Sequence, residues 1–124
     1  MQILISGGSE LTRRILANSL HTLGYSAVTI CGTGEYLLQE FEREAADLII
    51  IEKQLTDMPG LALVKRLRAI DGAEDVSILM TGSEFVSQEV VTAIRAGIDD
   101  LLLIPYQPEQ LNVKISRLLP SRKR

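Results

Sequence analysis

Short apolar runs alternate five times along the chain with stretches whose apolar residues recur every three or four positions. The runs Ile3-Leu4-Ile5, Ser26-Ala27-Val28-Thr29-Ile30, Leu48-Ile49-Ile50-Ile51, Ile78-Leu79-Met80 and Leu101-Leu102-Leu103-Ile104 read as strands. The unbroken apolar stretch at 48–51 suits a central strand buried on both faces. Between them lie helical stripes. Leu11, Ile15, Leu16, Leu20 and Leu23 follow a Ser9 cap and stop at Gly24. Thr33 caps a second helix with Leu37, Leu38 and Phe41, and Gly60 precedes a third with Leu61, Val64, Leu67 and Ile70. Val90, Val91, Ala93 and Ile94 mark a fourth that ends at Gly97. Pro108 suits the first turn of a fifth carrying Leu111, Val113, Ile115 and Leu118. Strands alternating with helices of this length predict a parallel sheet with right-handed crossovers and helices on both faces.

Composition narrows the class. The 124 residues are 46% hydrophobic and 23% charged, as a globular domain requires. They contain no internal repeat and no low-complexity segment. Residues 1–120 read as one domain, and 121–124 as a basic tail or the start of a linker. No apolar run approaches the ~20 residues that cross a bilayer, and Met1-Gln2-Ile3-Leu4-Ile5 lacks the features of a signal peptide. The single cysteine, Cys31, cannot form an internal disulfide, so a cytoplasmic location is expected. Thirteen basic against sixteen acidic residues give a net charge of −3, which argues against nucleic-acid binding. Seven acids crowd into 35–57 against Arg43 and Lys53, and the last eleven residues carry five bases and no acid.

In sheets of this kind, sites form beyond the carboxyl ends of the strands. Those ends are followed by Ser6-Gly7-Gly8-Ser9, Cys31-Gly32, Glu52, Thr81-Gly82 and Ile104-Pro105, and only Glu52 among these carries an acidic or basic side chain. There is no zinc-type cluster and no Ser/His/Asp set. The lone His21 falls in the first helix and reads as a surface residue. Ser6-Gly7-Gly8-Ser9, between a strand and a helix N-terminus, offers one further reading, a small-anion or nucleotide site built on backbone N–H groups.

Several segments in order carry a resemblance. Met1-Gln2-Ile3-Leu4-Ile5-Ser6-Gly7-Gly8 stands where a strand ending in two acids is expected. Asp47-Leu48-Ile49-Ile50-Ile51-Glu52 with Gly60 eight residues on, Ile78-Leu79-Met80-Thr81-Gly82, and Ala96-Gly97-Ile98-Asp99-Asp100-Leu101-Leu102-Leu103-Ile104-Pro105-Tyr106 follow. Together these resemble the response-regulator receiver domain of two-component signalling, over essentially the whole chain. The resemblance implies a flavodoxin-like (βα)5 fold with strand order 2-1-3-4-5. It also implies a module that takes a phosphoryl group from a histidine kinase onto an aspartate, with Mg²⁺ held by carboxylates, a lysine on the phosphoryl oxygens and a Thr/Ser hydroxyl that moves to meet it.

The sequence departs from that pattern at four of five positions. Gly7 and Gly8 replace the acidic pair, Glu52 the acceptor aspartate and Ile104 the lysine; Thr81 alone matches. Leu101 replaces the aromatic that reports switching, Thr56 stands at the usual loop-proline position, and Pro59 precedes Gly60. The expectation is a non-enzymatic pseudo-receiver that has lost or weakened Mg²⁺ binding, needs no cofactor, and acts through a protein partner (an output domain, histidine kinase or other signalling protein) or a homodimer. Its face would be helix four, strand five and helix five, with Arg95, Asp99, Asp100, Tyr106 and Lys114 as candidates. A corollary is a Glu52–Thr81 hydrogen bond that imitates the phosphorylated state. A competing reading is a receiver still able to accept phosphate on Glu52 or a nearby residue.

Overall fold

A computed structural model describes residues 1–119, so the expected 121–124 tail lies outside the described residues. Five strands and five helices alternate: β1 (Ile3–Ser6), α1 (Glu10–Thr22), β2 (Val28–Cys31), α2 (Gly34–Arg43), β3 (Leu48–Glu52), α3 (Gly60–Arg68), β4 (Ser77–Gly82), α4 (Ser87–Ala96), β5 (Asp100–Leu103) and α5 (Pro108–Leu118), with a 3₁₀ turn at Ala73–Asp75. The strands are all parallel in the order β2-β1-β3-β4-β5, the flavodoxin-like topology.

Strand parity divides the core. On one face Ile3, Ile5, Leu48, Ile50, Leu79 and Leu102 pack against α1 and α5 through Leu16, Leu20, Leu111 and Ile115. On the other, Leu4, Ile49, Ile51, Ile78 and Met80 pack against α2 and α3 through Leu37, Phe41, Leu63 and Leu67, and against α4 through Ala93 and the partly buried Ala96. Because β3 is covered on both sides, Leu48 to Ile51 are all fully buried, and the run has no polar alternation.

The caps form as their residue types require. The Ser9 hydroxyl accepts from the Thr12 N–H at 3.1 Å and that of Thr33 from the Tyr36 N–H at 3.0 Å. Gly24, at φ +100°, takes the left-handed turn that ends α1. The expected stripes need correction in four helices. In α3, fully buried Leu63 joins Val64 and Leu67 in the core, while Leu61 is only partly buried and Ile70 lies past the helix end. In α1, Leu11 and Ile15 face solvent at 65% and 52% exposure, and Ala17 takes the core position between Leu16 and Leu20. In α4, Val91 and Ile94 are exposed and Ala93 is the only buried residue; in α5, Val113 is exposed. In α1, α4 and α5 the physical reason is the same. One helix face reaches the sheet, and these side chains lie about a third of a turn off it. The strand bounds also shift: β2 begins at Val28 rather than Ser26, and β5 runs Asp100–Leu103, leaving Ile104 just past its end.

Candidate functional site

The sheet register brings the loop ends together. Ser6 pairs with Ile51, and Glu52 with Thr81, so the ends of β1, β3 and β4 meet at one rim. The Glu52 carboxylate turns toward β1. Its Oε1 accepts from the Gly8 N–H at 2.8 Å and from the Thr12 hydroxyl at 2.9 Å. It therefore sits over the first turn of α1, where exposed N–H groups and the helix dipole favour negative charge.

The glycine at position 7 follows from that placement. A Cβ added to Gly7 would collide with the Glu52 carboxylate, and one at Gly8 would press on the Gln54 carbonyl at 3.1 Å. A side chain at position 7 and this glutamate conformer compete for one volume, whereas one at position 8 meets only the Gln54 backbone. The Gly8 N–H that an external anion would need is already taken, so an anion in the Ser6–Ser9 loop would have to displace Glu52.

Thr81 does not meet Glu52. Its hydroxyl is buried and points to the Ile51 carbonyl at a long 3.4 Å, so the expected Glu52–Thr81 hydrogen bond is absent. The carboxylate goes instead to the two donors at α1, which approach it more closely. Ile104 places an aliphatic side chain in the same rim and fixes its backbone by donating to the Gly82 carbonyl at 2.8 Å. The Ile104–Pro105 peptide is cis. Tyr106 lines the adjoining cavity; burial, and after it the charge of Glu52, push its phenol above the ordinary range. Leu101 is half-buried against the core and offers no hydroxyl.

Magnesium wants near-octahedral oxygen ligands, supplied in proteins by carboxylates. The residues here do not fit it. Gly7 and Gly8 bring no side-chain oxygen, Glu52 is committed to Gly8 and Thr12, and no three His, Cys, Asp or Glu side chains gather among the described residues.

The structure also places residues that sequence reasoning missed. Lys53, next to Glu52, turns to the opposite side. Its ammonium donates to the Glu84 carbonyl at 2.7 Å, pairs with Glu89 at 2.9 Å and lies 5.0 Å from the Phe85 ring centroid. It thereby ties the end of β3 to the loop after β4 and the first turn of α4. Arg68 donates twice to the Gly97 carbonyl, to the carbonyls of Ala73 and Val76, and to Asp99. Nothing in the apolar periodicity signals either residue: Lys53 reaches partners 31 and 36 residues away, and Arg68 ties carbonyls 5 and 8 residues on to Gly97 and Asp99, 29 and 31 residues on.

Of the five residues expected on the helix-four, strand-five, helix-five face, three spend their polar groups inside the domain. Asp99 accepts from the Ile78 N–H at 2.8 Å and from Arg68 at 3.0 Å. Asp100 accepts from the Leu101 N–H at 2.7 Å and from Lys114 at 2.9 Å. Arg95 is exposed, and Tyr106 turns toward the cavity. The outer surface there is more apolar than expected, with Val91, Ile94, Leu103 and Val113 all about half exposed or more.

The fold is shared with known proteins. The family model described as "Response regulator receiver domain" matches residues 3–116. The chain is 31% identical over 120 residues to the chemotaxis protein CheY1 of Helicobacter pylori, covering 96% of this chain and 97% of that protein. It is 32% identical to the chemotaxis protein CheY homologue of Campylobacter jejuni, over 96% and 92% of the two chains. A two-component response regulator from Clostridium difficile superposes with a TM-score of 0.86 at 25% identity, over 97% of this chain and 96% of that one. The parallel order, the register at the rim and these likenesses lead to one assignment: the chain belongs to the response-regulator receiver domain family.

Proposed function

We propose that this receiver domain signals without phosphorylation, as a protein-interaction module rather than an enzyme. The observation that carries the reading is the Glu52 carboxylate, drawn onto the Gly8 N–H and the Thr12 hydroxyl at a rim where Gly7, Gly8 and Ile104 supply neither ligand nor cation. Phosphoryl transfer relies on positioned cations to spread the developing charge. Here the lysine position is apolar, and the metal-binding carboxylates are replaced by backbone. A carboxylate fixed at this rim gives the domain one resting arrangement. The working surface in this reading is α4, β5 and α5, with Arg95 and the exposed apolar Ile94, Leu103 and Val113 as its contacts. Asp99, Asp100 and Lys114 serve to hold its shape. The partner is a protein or a second copy of this chain. No described helix is long and apolar enough to cross a membrane, and the net charge of −3 argues against nucleic acid.

The test is incubation with acetyl phosphate and Mg²⁺, followed by intact mass, alongside titration with Mg²⁺ and beryllofluoride by NMR. The expected outcome is an unchanged mass and no shifts at Gly7, Gly8, Glu52 or Thr81. A gain of one phosphoryl mass would overturn the reading and make the domain a working acceptor.

A further inference from the structure

Beside Glu52 lies a cavity of about 240 Å³, between α1 and the Ile104–Tyr106 segment at the rim of the sheet. Its walls are largely apolar, with Leu16 on one side and Ile104 on the other. Three polar features converge on it. Ser6 lines it, is 2% exposed, and its hydroxyl has no hydrogen-bond partner. Such a group costs free energy unless something satisfies it. Glu52 also lines it and receives both of its hydrogen bonds on Oε1, leaving Oε2 without a donor among the described residues. Tyr106 presents a half-buried phenol. Across the Gly7–Gly8 peptide, Arg13 donates to the Gly7 carbonyl at 3.0 Å and supplies the one positive charge in the lining.

We infer that this cavity is a binding site for a small, neutral, planar heteroaromatic molecule carrying one ring N–H donor and one ring acceptor. The donor answers the free oxygen of Glu52, the acceptor answers a hydroxyl from Ser6 or Tyr106, and the ring body lies between Leu16 and Ile104. Size agrees with this class: an apolar cavity of ~150 Å³ accepts benzene, and 240 Å³ leaves room for a second fused ring. Charge agrees as well, because Glu52 and Arg13 offset one another and favour neither an anion nor a cation over a neutral guest. The site deepens the proposed function and rests on it, since Ile104 at the lysine position supplies one of its apolar walls. It fails separately from that reading, which is decided by mass.

The probes are benzimidazole and 1-methylbenzimidazole at neutral pH, titrated to millimolar concentration against the ¹⁵N-labelled protein. Benzimidazole is expected to shift the amides of Ser6, Gly7, Arg13, Leu16, Thr81 and Tyr106. The methylated probe, which lacks the donor, is expected to bind roughly ten-fold more weakly, as losing a hydrogen bond to a carboxylate predicts. Glu52→Gln should shrink that ratio to about two-fold. Ile104→Phe should fill the cavity and abolish the shifts; if that variant loses its dispersed spectrum, the rim variant Glu52→Gln keeps the test intact. Equal affinity for the two probes would overturn the inference. So would an absence of shifts at these residues, or shifts centred on the larger groove lined by Lys53, Phe85 and Thr92.

Discussion

At the scale of single residues, Gly7 and Glu52 are two halves of one arrangement. The carboxylate occupies the space a Cβ at position 7 would take, so each side chain is readable only with the other in view. Gly7→Ala alone should force Glu52 off its two donors and cost about 1–3 kcal/mol, the usual range for overpacking a tight contact. In Glu52→Ala the clash is gone, and the combined variant should be more stable than the sum of the two single changes by about 1 kcal/mol or more. Urea unfolding of all four proteins measures the coupling; strict additivity would mean the collision is relieved elsewhere. Cys31 gives a simpler case. It is fully buried, and burial, with a smaller contribution from Glu40, pushes its thiol up to about 12. A thiolate is needed for attack on a disulfide reagent. The native protein should therefore stay unlabelled by such a reagent at neutral pH and take up one equivalent only when unfolded. The sequence shows the glycines and the glutamate at their positions. Which donors the glutamate reaches depends on rotamers and on the approach of α1, and no spacing encodes either.

Between elements, the joints rest on polar groups that periodicity does not register. Arg68 is the clearest. Its guanidinium binds three backbone carbonyls from the α3–β4 connection and the end of α4, and also Asp99, which in turn holds the Ile78 N–H of β4. Arg68→Ala strips partners from those carbonyls and from a carboxylate, and should cost about 2–4 kcal/mol. Arg68→Lys keeps the charge but not the planar fork and should recover only part of the loss. Asp57 performs a similar task at α2, accepting from the N–H groups of Gly34 and Glu35 at 2.8 and 3.1 Å. Burial opposes its ionisation, but the backbone amides and the charge of Arg66 outweigh it and hold the carboxyl below the usual aspartate range. Glu89, bound by the Val86 N–H and Lys53, is likewise lowered. The sign follows. Groups depressed on folding lend stability that is complete above their unfolded pKa values near 4 and is lost as pH falls through the folded ones. The melting temperature should thus hold steady from neutrality to about pH 5 and fall below it. Asp57→Asn should flatten that fall, which thermal scans by circular dichroism would show. The stripe of α2 is legible because its apolar side, Leu37, Leu38 and Phe41, faces the sheet squarely. Leu11, Ile15, Val91 and Ile94 misled because an apolar residue at the right interval says nothing of how far the sheet extends beneath its helix.

For the molecule as a whole, topology and chemistry separate cleanly. The order of strands and helices, the two-sided burial of β3 and the meeting of the β1, β3 and β4 ends at one rim follow from hydrophobic pattern and parallel-sheet handedness. The rim's chemical state does not, because it rests on a handful of side chains that the fold tolerates in several forms. That separation makes the proposed loss of phosphoryl acceptance reversible. Gly7→Asp, Gly8→Asp, Glu52→Asp and Ile104→Lys introduced together should restore a carboxylate cluster for Mg²⁺ and an amine over the phosphoryl group, on strand ends already in register. Thr81 is in place, paired with position 52. Shortening Glu52 matters as much as the added charges, because the longer side chain reaches Gly8 and Thr12 and fills the volume an aspartate at position 7 needs. The fourfold variant should therefore gain one phosphoryl mass from acetyl phosphate in a magnesium-dependent way. The variant that keeps Glu52 and carries the other three changes should gain none, and Ile104→Lys alone, which adds an amine but no metal ligand, should gain none either. If the fourfold variant folds, by its dispersed NMR spectrum, and still resists labelling, the block lies deeper than these four side chains. The Lys53 tie between β3 and the loop ahead of α4 is then the next restraint to release.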